Sequence, residues 1–226
     1  REAALQAGIV HPHVLRVLGI HDGDDLVLVL ELAEGGSLLD LITARGALAP
    51  GEVVTACAPI AQALDAVHRR GLVHADVSCG NVLFTAEGRP VLSDLGVARL
   101  AGERPSEVGV TPGFTAPEVL VGDSPGPAAD IYSLAVTVRT ALVGVLPDDP
   151  RAALVKSPPL PAAPIEVIER ALGAEPRSRP TAAELAEALF GIARVRPLRS
   201  GNGAVALVQC DLLGGSAVVQ RLVARA

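Results

Sequence analysis

His74-Ala75-Asp76-Val77-Ser78-Cys79-Gly80-Asn81 is the stretch on which the fold turns. It follows a long apolar stripe over residues 50–70 that Gly71 terminates, and it precedes the short apolar run 82–84. A loop between a helix and a strand thus carries a carboxylate and, five positions on, a carboxamide. Working outward, Asp94-Leu95-Gly96 closes the next apolar run, and Ala116-Pro117-Glu118 follows a Gly/Pro/Ser-rich loop over residues 100–115. Taken singly, each Asp or Asn also fits a turn former at a strand end, where its side chain bonds its own backbone.

Local chemistry places the remaining elements. Residues 1–9 look helical and stop before His11-Pro12, because the residue ahead of proline is pushed out of the helical region. The apolar runs 14–20 and 26–32, joined by residues 21–25, predict a hairpin. Glu34-Gly35-Gly36 breaks the second strand, and Ser37 is an N-cap for a short helix through Ala44. Pro50 suits a first helical position, and 82–84 with 90–92 flank Ala86-Glu87-Gly88-Arg89 as a second hairpin. Helices are expected at about 127–144, 164–172 and 181–192, the last opened by a capping box of Thr181 and Glu184. Beyond about 195 the pattern loses definition. No fixed-period repeat marks a solenoid.

Composition limits what such a chain does. Half of the 226 residues are apolar, yet there are only three Phe, one Tyr and no Trp, so Leu, Val, Ala and Ile must build the core. A formal net charge of −6 gives no broad basic surface for nucleic acid. Three widely spaced cysteines, Cys57, Cys79 and Cys210, suggest neither a disulfide framework nor a zinc site, and a reducing cytoplasm suits them. No apolar run reaches the roughly 20 residues that cross a bilayer; 131–146, broken by Ser133, Arg139, Thr140 and Gly144, reads as a core helix.

In order and spacing, the three motifs resemble the HRD-to-Asn catalytic loop, the DFG metal site and the APE anchor of protein kinases. The likeness runs from Arg1 to about Phe190 and is similar to eukaryotic-type Ser/Thr kinases of actinobacteria. It implies an α+β protein-kinase-like fold: a partial N-lobe over 1–33 with a helix and two strands, a mostly helical C-lobe over 34–195, and a tail over 196–226. It also implies ATP and Mg²⁺ as cofactors and a protein partner offering Ser or Thr. By the resemblance, Asp76 orients and deprotonates the acceptor hydroxyl, and Asn81 and Asp94 hold the metal. Phosphoryl transfer is largely positioning and charge neutralisation, so one carboxylate at the acceptor and oxygen ligands at the phosphates suit it. Glu31 and Ala33 would offer backbone groups to adenine, with Leu83 packing beneath its ring. Glu2 falls where the family pairs a glutamate with a strand lysine. Thr111, in Thr111-Pro112-Gly113-Phe114, stands in the loop facing the acceptor and is typical of Ser/Thr kinases. His74 is expected to be a packed, hydrogen-bonded residue, Asp130 to cap the catalytic loop, and Glu118 to pair with Arg179.

The chain departs from the pattern in places. Its one lysine, Lys156, lies beyond the acceptor loop, and no Gly-rich phosphate loop precedes Glu2. About the first third of a kinase domain is therefore expected to lie upstream of Arg1 or to have been lost, and the chain alone is expected to bind ATP poorly. Ala75 replaces an Arg that would pair with a phosphorylated loop, and Ser78 replaces a Lys that steadies the transferred phosphate. Leu95 replaces Phe as an apolar plug, and Gln6 sets an amide where an apolar residue is usual. Two alternatives stand beside an active kinase. One is a degenerate kinase-like binding module, which the loss of lysine, Ala75 and Ser78 favour. The other is a small-molecule phosphotransferase of the aminoglycoside-kinase type, which Thr111-Pro112-Gly113-Phe114 and the Glu118/Arg179 pairing disfavour.

Overall fold

The computed structural model describes residues 9–22, 26–94, 99–100, 111, 113–149 and 158–198. An antiparallel pair opens the described chain, β1 (Val17–Asp22) with β2 (Leu26–Leu30), kinked by a register shift between Val17 and Gly19. The expected strand 14–20 begins later than its apolar run, because its first residues serve another partner. Leu15 N–H donates to the Leu92 carbonyl (2.9 Å), and Leu92 N–H donates to that of His13 (2.9 Å). The strand pair is thereby stitched to the helical part of the molecule. β2 ends at Leu30 rather than Leu32, where the chain swings out and leaves Leu32 exposed.

Helix α1 (Leu38–Arg45) starts at Ser37, whose hydroxyl accepts from Asp40 N–H (3.0 Å) while the Asp40 carboxylate accepts from Ser37 N–H (2.9 Å). Two orphan amides are satisfied reciprocally, so the short helix has a defined start. Helix α2 (Pro50–His68) runs straight through Pro59. A proline inside a helix costs about 3 kcal/mol or more. Burial offsets it: Val53, Val54, Ile60, Leu64 and Val67 are all 0% exposed, and each buried aliphatic contributes roughly 1.5–3 kcal/mol.

Two further strand pairs flank the next loop. β3 (Leu72–Val73) meets β6 (Arg99–Leu100), and β4 (Val82–Phe84) meets β5 (Pro90–Leu92). Beyond them come α3 (Pro117–Leu120), α4 (Pro127–Val143), α5 (Ala162–Ala171), a 3₁₀ turn at Pro176–Ser178 and α6 (Ala182–Phe190). α6 opens on the expected Thr181/Glu184 capping box. α2 packs on α6 and α4, and Leu134, Leu185 and Leu189 join Leu64 in one core. Helices around α2 and α4, with three short antiparallel strand pairs, make the α+β fold expected. The core helix expected over 131–146 stops at Val143, the end of α4, where Gly144 takes the left-handed cap, and among the described residues no helix is long and apolar enough to cross a membrane.

Candidate active site

The loop between β3 and β4 is held from below. Asp130, in the first turn of α4 and 1% exposed, accepts the N–H of His74 at Oδ2 (2.9 Å) and that of Ala75 at Oδ1 (2.8 Å). His68, the last residue of α2, brings Nε2 to 2.7 Å from the same Oδ2. The carboxylate is buried because three donors replace its water. Its grip also holds Ala75 at φ 68, a left-handed conformation that costs a residue with a Cβ about 1–2 kcal/mol. His74 is fully buried; its Nε2 bonds the Ser93 carbonyl (2.8 Å), and its Nδ1 accepts from Asp76 N–H (3.2 Å). A carbonyl only accepts, so the ring proton sits on Nε2. His74 is the packed, hydrogen-bonded residue expected.

Asp76 is half-buried, and its two carboxylate oxygens face two other candidate residues. Asn81 Nδ2 donates to Asp76 Oδ2 (2.9 Å) and to the Asp76 carbonyl (2.7 Å), while Thr111 Oγ1 donates to Asp76 Oδ1 (2.6 Å). Thr111 lies 35 positions away in sequence. With its amide nitrogen turned to Asp76, Asn81 points its amide oxygen the other way. Asp94, half-buried with φ 57, follows Ser93, whose N–H donates to the Asn81 carbonyl (2.9 Å). Three of the predicted residues are thus joined by hydrogen bonds, and the fourth is one peptide from Ser93, which bonds Asn81. Ser78 is different: at 4% exposed, its hydroxyl is packed away. Burial pushes the neighbouring Cys79 thiol up to about 12, against hydrogen bonds from its own backbone and Thr137, so it stays neutral. Burial, reinforced by nearby Cys79, raises the Cys57 thiol as well.

The opposite wall comes from β2 and the segment Glu31–Leu39. Glu31 N–H is taken by the Arg16 carbonyl (2.9 Å), and its carboxylate lies between Arg16 and Arg89 at 3.9 and 3.7 Å. Ala33 and Leu83, at 1% and 4% exposed, share a small apolar cluster with Leu15 and Val91. Gly35 N–H donates to the Phe84 carbonyl (2.7 Å), Phe84 N–H to that of Gly36 (2.9 Å), and Leu39 N–H to that of Cys79 (3.0 Å). The segment after β2 is therefore fastened to the loop that carries Asp76 and Asn81. Glu2, Gln6, Leu95 and Lys156 lie outside the described residues.

On the acceptor side, Phe114 N–H closes a turn on the Thr111 carbonyl (3.1 Å), with Gly113 at φ 79. A Cβ at Gly113 would sit 2.8 Å from Pro147 Cβ, so both conformation and space call for glycine. The Phe114 carbonyl accepts from Ser133 Oγ on α4 (2.8 Å). Further along, Glu118 meets Arg179 in a bidentate pair, 2.7 Å at each contact. Arg179, its side chain wholly buried, also donates to the carbonyls of Gly173, Ala128 and Ala174 and lies 5.0 Å from the Tyr132 ring centre. The pairing expected from sequence is present. His68 and Ser133 were not foreseen. Their sequence signals, a polar residue at a helix end and one inside an apolar helix, are common on surfaces and in cores alike.

A family model described as a protein kinase domain matches residues 1–190. The serine/threonine-protein kinase PknK of Mycobacterium tuberculosis is 39% identical over 206 residues, covering 81% of this chain and 19% of that protein. The serine/threonine-protein kinase PkaB of Streptomyces coelicolor is 34% identical over 213 residues, covering 84% of this chain and 51% of that protein. A serine/threonine-protein kinase of Myxococcus xanthus, pkn2, is 35% identical over 218 residues, covering 84% and 26%. The chain spans between about a fifth and a half of the length of these relatives.

Proposed function

This chain belongs to the protein kinase family, and on that premise we propose that it serves ATP- and Mg²⁺-dependent transfer of phosphate to Ser or Thr of a protein. The observation that carries the reading is the Asp76 carboxylate, held by Asn81 at one oxygen and by Thr111 of the acceptor loop at the other. Both contacts leave lone pairs on oxygens of a half-buried group, which a Ser or Thr hydroxyl reaches without displacing either partner. Asp76 would accept the hydroxyl hydrogen bond, orient the oxygen and take its proton as the new P–O bond forms and the γ-phosphorus bond to the departing ADP oxygen breaks.

The residues fit the cofactor chemistry. The outward amide oxygen of Asn81 and the carboxylate of Asp94 are the oxygen ligands a hard cation takes, with water and phosphate completing the shell. When bound, Mg²⁺ neutralises charge on the β- and γ-phosphates. Leu83 would pack beneath adenine, and the Glu31 and Ala33 backbones would be its polar contacts. The domain division accords with this: a partial N-lobe over 1–33, a C-lobe over 34–195 and a tail over 196–226. Ala75 leaves the loop without an arginine for a phosphorylated partner, so its position rests on Asp130 instead. Buried Ser78 brings no positive charge, which favours as second reading a catalytically degenerate binding module.

The test uses the whole reading frame that contains this chain, radiolabelled MgATP and a Ser/Thr peptide library. Wild type is expected to label Ser or Thr, and Asp94→Asn to abolish the labelling. Labelling that survives Asp94→Asn unchanged overturns the metal assignment; an inactive wild type that still captures a protein partner establishes the second reading.

A further inference from the structure

The catalytic and acceptor loops form a closed circuit through α4. Starting at Asp76, its Oδ1 accepts from Thr111 Oγ1, the Thr111 carbonyl accepts from Phe114 N–H, and the Phe114 carbonyl accepts from Ser133 Oγ. Ser133 stands three residues after Asp130 on the same buried helix, and Asp130 returns the circuit to Ala75, next to Asp76. Residues three apart share a helical face, so a single turn of α4 grips both loops. The spacing between proton acceptor and acceptor loop is then set by a rigid element.

We infer that Ser133 is a positioning residue for the acceptor side, fixing the Thr111–Phe114 turn against Asp76 while leaving the nucleotide side alone. Two carbonyls lie within its reach, that of Ala129 on its own helix (3.0 Å) and that of Phe114 (2.8 Å). The first also belongs to the helical ladder, whereas among the described residues Ser133 is the donor to the second. Phe114 is 6% exposed, so its carbonyl has little access to water as a substitute, and an unpaired buried acceptor is costly. Without the hydroxyl, the cheapest relief is for the turn to move until water reaches that carbonyl. Thr111 moves with it. Among the described residues, the two bonds of the Ser133 hydroxyl lead to Phe114 and to its own helix, on the acceptor side. The catalytic half of this inference rests on the phosphotransfer reading.

Ser133→Ala in the full-length protein tests it, and alanine is the stronger helix former, so α4 is not put at risk. Two readouts are taken: amide hydrogen exchange over residues 113–116, and steady-state kinetics with a Ser/Thr peptide. Exchange is expected to rise about fivefold, the size of one neutral hydrogen bond, while His74 and Ala75, held by Asp130, exchange as before. The peptide KM is expected to rise by a similar factor, with the ATP KM unchanged. Unaltered exchange overturns the inference, and so does a peptide KM that stays put or moves together with the ATP KM. If wild type transfers no phosphate yet exchange at 113–116 still rises in the variant, the phosphotransfer reading falls and the positioning of the turn stands.

Discussion

Arg179 shows how much one side chain can carry. Its guanidinium has no exposed surface and is divided among Glu118, three backbone carbonyls and the Tyr132 ring. A charge taken out of water is tolerable only when its donors are satisfied, and here the planar fork of arginine supplies the geometry that lysine lacks. Arg179→Ala is expected to cost about 3–5 kcal/mol, because it strands the Glu118 carboxylate among groups built around a cation. Denaturant unfolding monitored by circular dichroism measures this, and a loss well under 1 kcal/mol would show that the carboxylate finds water instead. Asp130 differs in kind: two of its partners are backbone amides and the third is the histidine that ends α2, so it fixes a loop conformation, including the left-handed Ala75, and ties that loop to the contact of α2 with α4.

The elements owe their ends to local chemistry and their positions to burial. The start of α2 illustrates both. Burial pushes the Glu52 carboxyl up, but hydrogen bonds from Arg45 and from Ala49 N–H, with the positive charge of Arg45 and Arg196, more than reverse this and hold it below its usual 4.5. A carboxylate with a depressed folded pKa stabilises the fold above its unfolded value, and that contribution is lost as pH falls through the folded value. Stability is therefore expected to decline as the pH drops below about 4.5. Glu52→Gln should lower stability near neutrality and flatten that part of the acid limb, as read from unfolding free energies at a series of pH values. Parallel curves for the two proteins would mean the Arg45 contact, 2.9 Å in length, stabilises nothing.

Across the whole molecule, distant segments close onto the central helix. The stretch after α6 returns to the start of α2, where Arg196 N–H donates to the Gly51 carbonyl (3.0 Å) and Thr55 Oγ1 to the Arg196 carbonyl (2.6 Å). A Cβ at Gly51 would stand 2.3 Å from the Arg194 carbonyl oxygen. No side-chain rotation relieves a clash with backbone, so Gly51→Ala should dislodge residues 194–198 while leaving α2 helical. Limited proteolysis is the check: cleavage near Arg194 and Arg196 should speed up at least severalfold, and an unchanged rate would show that the two segments separate at no cost. This seam lies just past residue 190, where the match to the kinase family model stops, so it fastens the C-terminal edge of the lobe to its central helix.

Much of the architecture was written locally. Ser37 and Thr181 start their helices because their hydroxyls and a carboxylate three residues on cap each other's backbone N–H, and Pro50 because its own missing N–H costs nothing at the first helical position. The β4–β5 hairpin likewise needs only its own turn. The site was legible in outline for another reason: Asp76, Asn81, Asp94 and Thr111 stand in an order and spacing that resemble a known family, and direct contacts do join Asp76 to Asn81 and Thr111. What no local rule contained were pairings across long separations. His68 with Asp130 spans 62 residues, Ser133 with Phe114 spans 19, and Thr55 with Arg196 spans 141. β1 gave up its first residues to Leu92 for the same reason. A hydroxyl or imidazole bonds whatever acceptor the packed core sets in front of it, and only the folded arrangement of α2 and α4 decides which acceptor that is.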